Sequence, residues 1–337
     1  MEEEKKIDSL ITSNSDKVVQ ECESFKFYQL SKFLQRILGK SNVKRVKIFC
    51  NWTTSTNIAN IWNKMSKGDY TWNNIKLVWG DDYDYSVVIN CPLINDFIDT
   101  KNTIIFRMEP NMNSHEELWG EWSNPDPSDF IKVCYHDTEY NNNEWHISKT
   151  YNELVQFHPE KTTDVLSTIL SGKYSDHGHV KRVDFIKFLE KKGMKVDVYG
   201  DNKWDYVDYK GSLPYHCKDA GLFSYRYTFN CENQSIPNYY TEKLIDGILS
   251  ECLVFYSGCY NVKEYIDERA FVYLELSNFE KDYETIKRAI EENWWEQYLP
   301  FIKKAKIKIL NELQFFPRLE RIITAHEREH EHERENN

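Results

Sequence analysis

Apolar positions along the chain follow two periods, one of about 3.6 residues and one of 2, and the two alternate. Leu30, Phe33, Leu34, Ile37 and Leu38 recur at helical spacing, and Gly39 offers a stop. Short apolar runs at 46–49, 75–79, 85–90 and 103–106 read as strands. A polar loop, Asn51-Trp-Thr-Thr-Ser, and a helix over 58–65 lie between the first two runs. Residues 120–143 are rich in Pro, Asn and Asp and predict irregular surface. Order then restarts with an apolar run at 164–170 and a polar loop at 171–178. A helix over 180–192 follows, with Val183, Ile186 and Leu189 on one face, and then a strand at 196–199 closed by Gly200. This is one βαβ unit of roughly 35 residues. Further strands are predicted at 225–230, 253–256 and 271–276, with a helix opening after Thr241, and residues 283–323 read as helical.

Strands separated by helical stretches imply an α/β protein with mainly parallel sheets. The restart near residue 160 divides it into two Rossmann-like halves. The expected organisation is an N-terminal helical extension (1–40), a first Rossmann-like domain (41–160), a second (161–300), and a C-terminal helix with a disordered charged tail (301–337). That tail carries His326, His330 and His332 among alternating charges. The basic stretch Lys303, Lys304, Lys306 and Lys308 reads as a solvated helix face rather than a membrane-binding one.

Composition narrows the function. The chain's 337 residues are enough for two domains, each with its own core. The balance of 43 Lys+Arg against 54 Asp+Glu gives a net charge of −11, the wrong sign for a protein that lives on nucleic-acid phosphates. None of the eight cysteines forms a CxxC pair, so they read as free thiols of a reducing compartment. The charged start Met1-Glu-Glu-Glu-Lys-Lys is unlike a secretory signal, and no run approaches the roughly 18 apolar residues of a membrane span. The expectation is a cytoplasmic protein with no integral membrane association.

The chemistry concentrates in residues 225–249, a strand, a polar loop and a helix whose buried face is Leu244, Ile245, Ile248 and Leu249. Thr241 suits the N-cap. Free amides and the helix dipole make such an N-terminus an anion site, and Lys243 in the first turn is better explained by a bound anion than by the dipole, which disfavours it. An ordinary capped helix is the alternative on these features alone.

Here the chain resembles the family 10 glycosyltransferases, the α-1,3/1,4-fucosyltransferases. The resemblance rests on Cys231-Glu-Asn-Gln followed by Tyr239-Tyr-Thr-Glu-Lys243. Val196-Asp-Val-Tyr-Gly200, Leu253-Val-Phe-Tyr-Ser-Gly258 and the stretch 264–273 extend it. It implies a GT-B type fold, with two Rossmann-like domains facing across a cleft, acceptor on the first and donor on the second. It also implies an inverting transferase moving fucose from GDP-fucose to a glycan hydroxyl, without a cofactor or an essential metal. Carried over, Arg182 (before its helix) and Lys243 hold the donor diphosphate. Asn233, Tyr239 and Glu242 contact ribose, phosphate or sugar, and Glu109 in Phe106-Arg-Met-Glu-Pro is the general base. The lack of an anchor resembles bacterial or viral members rather than Golgi ones.

Cys231, Gln234 and Tyr240 depart from the family pattern beside the donor contacts. A different nucleotide sugar, or a non-catalytic glycan- or nucleotide-binding protein on the same scaffold, are the alternatives. Acceptor contacts are expected in 51–56 and 112–127. Asp82-Tyr-Asp84 mimics a metal motif but follows a Gly80 turn and reads as a turn. His136, His146 and His158 show no ligand-like spacing, so no metal ligand is assigned.

Overall fold

The structure is a computed structural model and describes residues 43–93, 96–110, 118–140, 142 and 144–335. The helix expected over 16–38, and part of the acceptor stretch at 112–127, lie outside the described residues.

The first half builds one six-stranded sheet from β1 (Lys44–Cys50), β2 (Thr71–Trp72), β3 (Ile75–Val78), β4 (Tyr85–Ile89), β5 (Thr103–Phe106) and β6 (Lys132–Cys134), in the order β2-β3-β1-β4-β5-β6. All neighbours are parallel except β2 against β3. Every residue of β4 and β5 is buried, as expected of strands covered on both faces. Helix α1 (Ser55–Trp62) opens on Thr54, whose side chain accepts from the Asn57 amide, and packs on β1 and β3. Strand β6 falls inside the segment expected to be irregular. Its three residues are too few to show a period, and only pairing with β5 reveals it.

A short helix, α2 (Tyr151–Leu154), opens on a Thr150–Glu153 capping box and leads into the second half. Its sheet holds β7 (Thr163–Leu170), β8 (Val196–Gly200), β9 (Tyr209–Gly211), β10 (Tyr225–Cys231), β11 (Leu253–Ser257) and β12 (Phe271–Tyr273), in the order β12-β11-β10-β7-β8-β9, all parallel. The order therefore reverses between β7 and β10. Helix α3 (His177–Lys191) packs on β8 and β10, and α4 (Glu242–Leu249) on β10 and β11.

The end of the chain departs from expectation. Helices α5 (Phe279–Glu291) and α6 (Trp294–Lys308) lead through a π-helical turn at Ile309–Leu313 into α7 (Phe315–Glu335). The tail expected to be disordered is helical as far as Glu335. Moreover, α7 returns to the first sheet. Phe315 packs against Trp62 at 4.6 Å and Phe106 at 6.2 Å, and Phe316 stacks on Trp72 at 6.1 Å. The buried Arg318 lies over Phe106 and Tyr140 and donates to Glu139 at 2.6 Å. Glu320 accepts from Trp72 Nε1, and Glu327 from the Tyr85 hydroxyl. The alternating charges beyond Ala325 hid only the continuation of this helix, because the burial that fixes it lies mostly one to three turns upstream. In the basic stretch, Lys306 is buried and bonded to Glu251 at 3.0 Å, so that lysine is an internal ion-pair partner rather than part of a solvated face.

Candidate functional site

In a doubly wound sheet, ligands bind beyond the carboxyl ends of the strands where the order reverses. Here the reversal lies between β7 and β10, so the loops 171–176 and 232–241 flank it. A cavity of about 740 Å³ opens there, lined by Ser171, Lys173, His179, Arg182, Asn230, Asn233, Glu242 and Lys243, with Gly200, Tyr209 and 212–216 closing the far side. Four of the five expected donor residues, Arg182, Asn233, Glu242 and Lys243, line this one cavity.

The first turn of α3 is pressed against the 232–241 loop. The Gly178 amide donates to the Asn233 carbonyl at 2.9 Å, and a Cβ on Gly178 would collide with the carbonyls of Glu232 and Asn233, the latter at 2.6 Å. Glycine is required here by close approach of two backbones. His179 closes the same turn, its Nδ1 lying 2.9 Å from Asp176. Helix α3 opens at His177, so Arg182 stands in its second turn, not ahead of the helix as the sequence implied. Arg182 is 4% exposed; it donates to the Ser171 hydroxyl at 2.7 Å and to Asn233 Oδ1 at 3.4 Å, and its Nε has no hydrogen-bond partner among the described residues. Burial lowers its pKa, outweighing the opposing pull of Cys231, Glu232, Tyr206 and Glu242. A buried guanidinium with donors to spare on a cavity wall is an anion-binding group.

Across the cavity, Thr241 caps α4 and its hydroxyl accepts from the Lys243 amide. Glu232 is 1% exposed and holds the loop shut, accepting from the Thr241 amide and hydroxyl, both at 2.7 Å, and from the Tyr256 hydroxyl at 3.3 Å. Burial raises its pKa against the pull of Lys243. Asn230 ties the first turn of α4 to the end of β10 by donating to the Lys243 carbonyl at 2.8 Å. Lys243 Nζ lies 3.4 Å from both Glu232 and Glu242. Glu242 also pairs with Lys218 at 3.2 Å, and Lys218 with Asp246 at 2.9 Å. Burial opposes the charge of Glu242, but Lys218 and Lys243 outweigh it and hold its carboxyl well below the usual range. The sequence singled out none of Ser171, Lys218, Glu232 and Asp246. Glu232 lay within the recognised motif. Lys218 and Asp246 carry no local signal, since only the tertiary fold joins them.

Tyr239 does not line the cavity. It is 2% exposed, and its ring meets His136 of the first half edge-on at 5.1 Å. The neighbouring Asn238, in left-handed backbone, donates to the His136 carbonyl. The tip of the donor-side loop therefore docks on the chain just after β6. Glu109 comes from the opposite half, at the end of β5. Asn90 Oδ1 accepts from the amides of Met108 and Glu109, at 2.9 and 3.1 Å, and fixes this turn. Glu109 is exposed, yet partial desolvation by the neighbouring protein raises its pKa against the pull of Lys243. The charges it feels, Lys243, Glu242, Lys173 and Glu232, all belong to the second half. Glu109 itself lies outside the cavity lining.

Asp82 and Asp84 both pair with Arg45, which bonds Asp84 through Nε at 3.1 Å and Nη2 at 3.0 Å. They lie in a bend between β3 and β4, tied to β1 through Arg45. Cys50, Cys91, Cys217, Cys231, Cys252 and Cys259 are free thiols. No helix among the described residues is long and apolar enough to cross a membrane.

Residues 159–313 match the model of the family described as "Glycosyltransferase family 10 (fucosyltransferase) C-term". No curated protein matches the chain in sequence. Among solved structures, an α-glucosyltransferase in complex with UDP and a 13-mer DNA containing an HMU base is 9% identical, with a TM-score of 0.51, covering 78% of this chain and 95% of that one. An α1,3-fucosyltransferase is 16% identical, with a TM-score of 0.49, covering 76% and 82%. The same enzyme type crystallised with GDP gives 16%, 0.47, 78% and 83%. The architecture is the GT-B fold, two Rossmann-like sheets facing one another.

Proposed function

We propose that this chain, a glycosyltransferase whose residues 159–313 match the family 10 model, transfers fucose, with inversion, from GDP-fucose to a hydroxyl of a glycan acceptor. The observation that carries the donor half of the reading is Arg182, a buried guanidinium on the cavity wall with an unpartnered Nε. A diphosphate would satisfy it, and Lys243 at the start of α4 lines the same cavity.

In the proposed reaction the acceptor oxygen attacks the anomeric carbon as its bond to the diphosphate oxygen breaks. The electron pair leaves with GDP, and the acceptor proton passes to the Glu109 carboxylate. Arg182, Lys243 and the first amides of α4 stabilise the charge that grows on the leaving diphosphate, work that requires no metal. Glu242, held ionised by Lys218 and Lys243, is a hydrogen-bond acceptor suited to ribose or sugar hydroxyls. Asn233 orients Arg182. Tyr239 is placed to couple loop position to the first domain rather than to touch donor. Inversion needs one base, and the Glu109 carboxylate, on which the charges of the second half act, is the group proposed to supply it.

Isothermal titration with GDP, UDP and GDP-fucose, with and without EDTA, tests the donor. Selective and EDTA-insensitive binding of GDP and GDP-fucose is expected, and Arg182→Lys should weaken GDP at least about tenfold, because lysine cannot reproduce the planar fork. Preference for UDP would overturn the donor. For turnover, Glu109→Gln should bind GDP as the wild type does and lose at least about 10²-fold in transfer. Unchanged transfer would remove Glu109 from the base role.

A further inference from the structure

Three side chains outside the proposed chemistry converge at the edge of the cavity. Glu144 and His146 come from the segment joining the two sheets, and His216 from the loop after β9. Each offers a ligand atom, and these atoms all lie within 4.8 Å of one another. Glu144 Oε1 is 3.1 Å from His146 Nε2, and the two imidazole rings approach to 4.0 Å at 76°. We propose that Glu144, His146 and His216 form a zinc site that clasps the interdomain segment to the donor domain.

The ligand set decides the metal class. Two imidazoles and a carboxylate suit a borderline ion such as Zn²⁺, and three protein ligands leave one position of a tetrahedron for water. Mg²⁺ demands six oxygens and is a poor fit. Bonds of about 2.0–2.2 Å to a tetrahedral Zn²⁺ set ligand atoms about 3.4 Å apart, so atoms that lie within 4.8 Å of one another must draw together around the ion.

The surroundings are those of a built site. The second carboxylate oxygen of Glu144 accepts from Trp62 Nε1 at 2.8 Å, an outer contact that fixes the carboxylate. The backbone of His146 is held on both sides: its amide donates to Asp246 Oδ1 at 2.7 Å, and its carbonyl accepts from the Lys218 amide at 2.9 Å. His216 adopts left-handed backbone, φ +53°, which costs a non-glycine residue energy and aims its ring at His146. His216 Nδ1 lacks a hydrogen-bond partner among the described residues, and His146 Nε2 has only the Glu144 carboxylate beside it. Both histidines line the cavity, so an ion has a way in. Lys218 lies two residues from His216 and links it to Asp246 and Glu242, so the clasp would brace the donor side without touching the diphosphate. Zinc binding and GDP binding are separate measurements, and either can fail alone.

The histidines of α7 are the competing ligands, since the rings of His326 and His330 lie 4.4 Å apart at one-turn spacing. The test therefore uses the full chain carrying His326→Gln, His330→Gln and His332→Gln, stripped with EDTA and titrated calorimetrically with Zn²⁺ and, separately, Mg²⁺. One equivalent of Zn²⁺ is expected, and no Mg²⁺. His216→Asn, which tolerates left-handed backbone, and Glu144→Gln should each weaken Zn²⁺ at least about tenfold. No zinc binding, or binding unchanged in both variants, overturns the proposal. Should a variant fail to fold, Co²⁺ loaded into the tail-substituted protein decides. A tetrahedral spectrum without thiolate charge transfer is expected, and an octahedral or thiolate-ligated spectrum would refute the site.

Discussion

At Glu109 the environment sets how proton transfer depends on pH. Its surroundings raise its pKa above the ordinary 4.5, against the lowering pull of Lys243. A base must be ionised to act, so transfer should fall on the acid side at a higher pH than a free glutamate would give. A kcat–pH profile checks this, and an acid limb at or below the ordinary value would show that Glu109 is not the titrating base. Gly178 is the second residue whose surroundings dictate its identity. Its α-hydrogen faces the carbonyls of Glu232 and Asn233, and a methyl group there must push the α3 turn and the donor loop apart. Gly178→Ala should destabilise by about 1–3 kcal/mol, read by chemical denaturation, and should weaken GDP as Arg182 moves with its helix.

Between β10 and α4, the loop 232–241 owes its shape to one buried carboxylate. Glu232 satisfies the Thr241 amide and hydroxyl and touches the Tyr256 hydroxyl, while the outer end of the loop rests on the His136 carbonyl. Glu232→Ala should cost about 1–3 kcal/mol, the usual penalty for buried polar groups left without partners. Because the cap of α4 loosens with it, GDP affinity should fall as well. Full GDP affinity in a destabilised variant would mean that the loop's shape and the anion site are independent.

For the molecule as a whole, α7 is the element that joins the ends of the chain's fold. Phe315 fills a space bounded by Trp62 and Phe106 of the first domain. Phe315→Ala should therefore cost about 3–5 kcal/mol, although it lies more than 200 residues from those partners in sequence. The pH dependence of stability belongs to this scale as well. Burial disfavours the Glu242 charge, but Lys218 and Lys243 depress its folded pKa well below 4.5. The sign follows from linkage: the stabilisation is fully present above the unfolded value and is lost as pH falls through the depressed folded value. Thermal melts of the wild type and Glu242→Gln should differ most near neutrality and converge in acid. A constant gap would show that packing, not charge, carries the effect.

The α/β alternation and the strand, polar loop and helix of residues 225–249 were legible in the sequence. Each rests on local facts: a hydrophobic period, a capping threonine, and a motif confined to 231–243. Four of the donor residues shared one cavity because the loops that carry them follow β7 and β10, and strand order alone makes those two strands neighbours. Other features had no local signature. Strand β6 is three residues that become a strand only by pairing with β5. Only the last turns of α7, from His326 on, looked like a charged tail, and the return of the helix to the first sheet left no local sign, because Phe315 and Phe316 meet their partners there. Lys218 meets Asp246, and His216 meets His146, across separations that no spacing rule spans. Periodicity and capping are properties of neighbouring residues and can be read from the chain. Which distant side chains share a cavity is decided by strand order and by the return of the last helix, and only the tertiary structure holds that information.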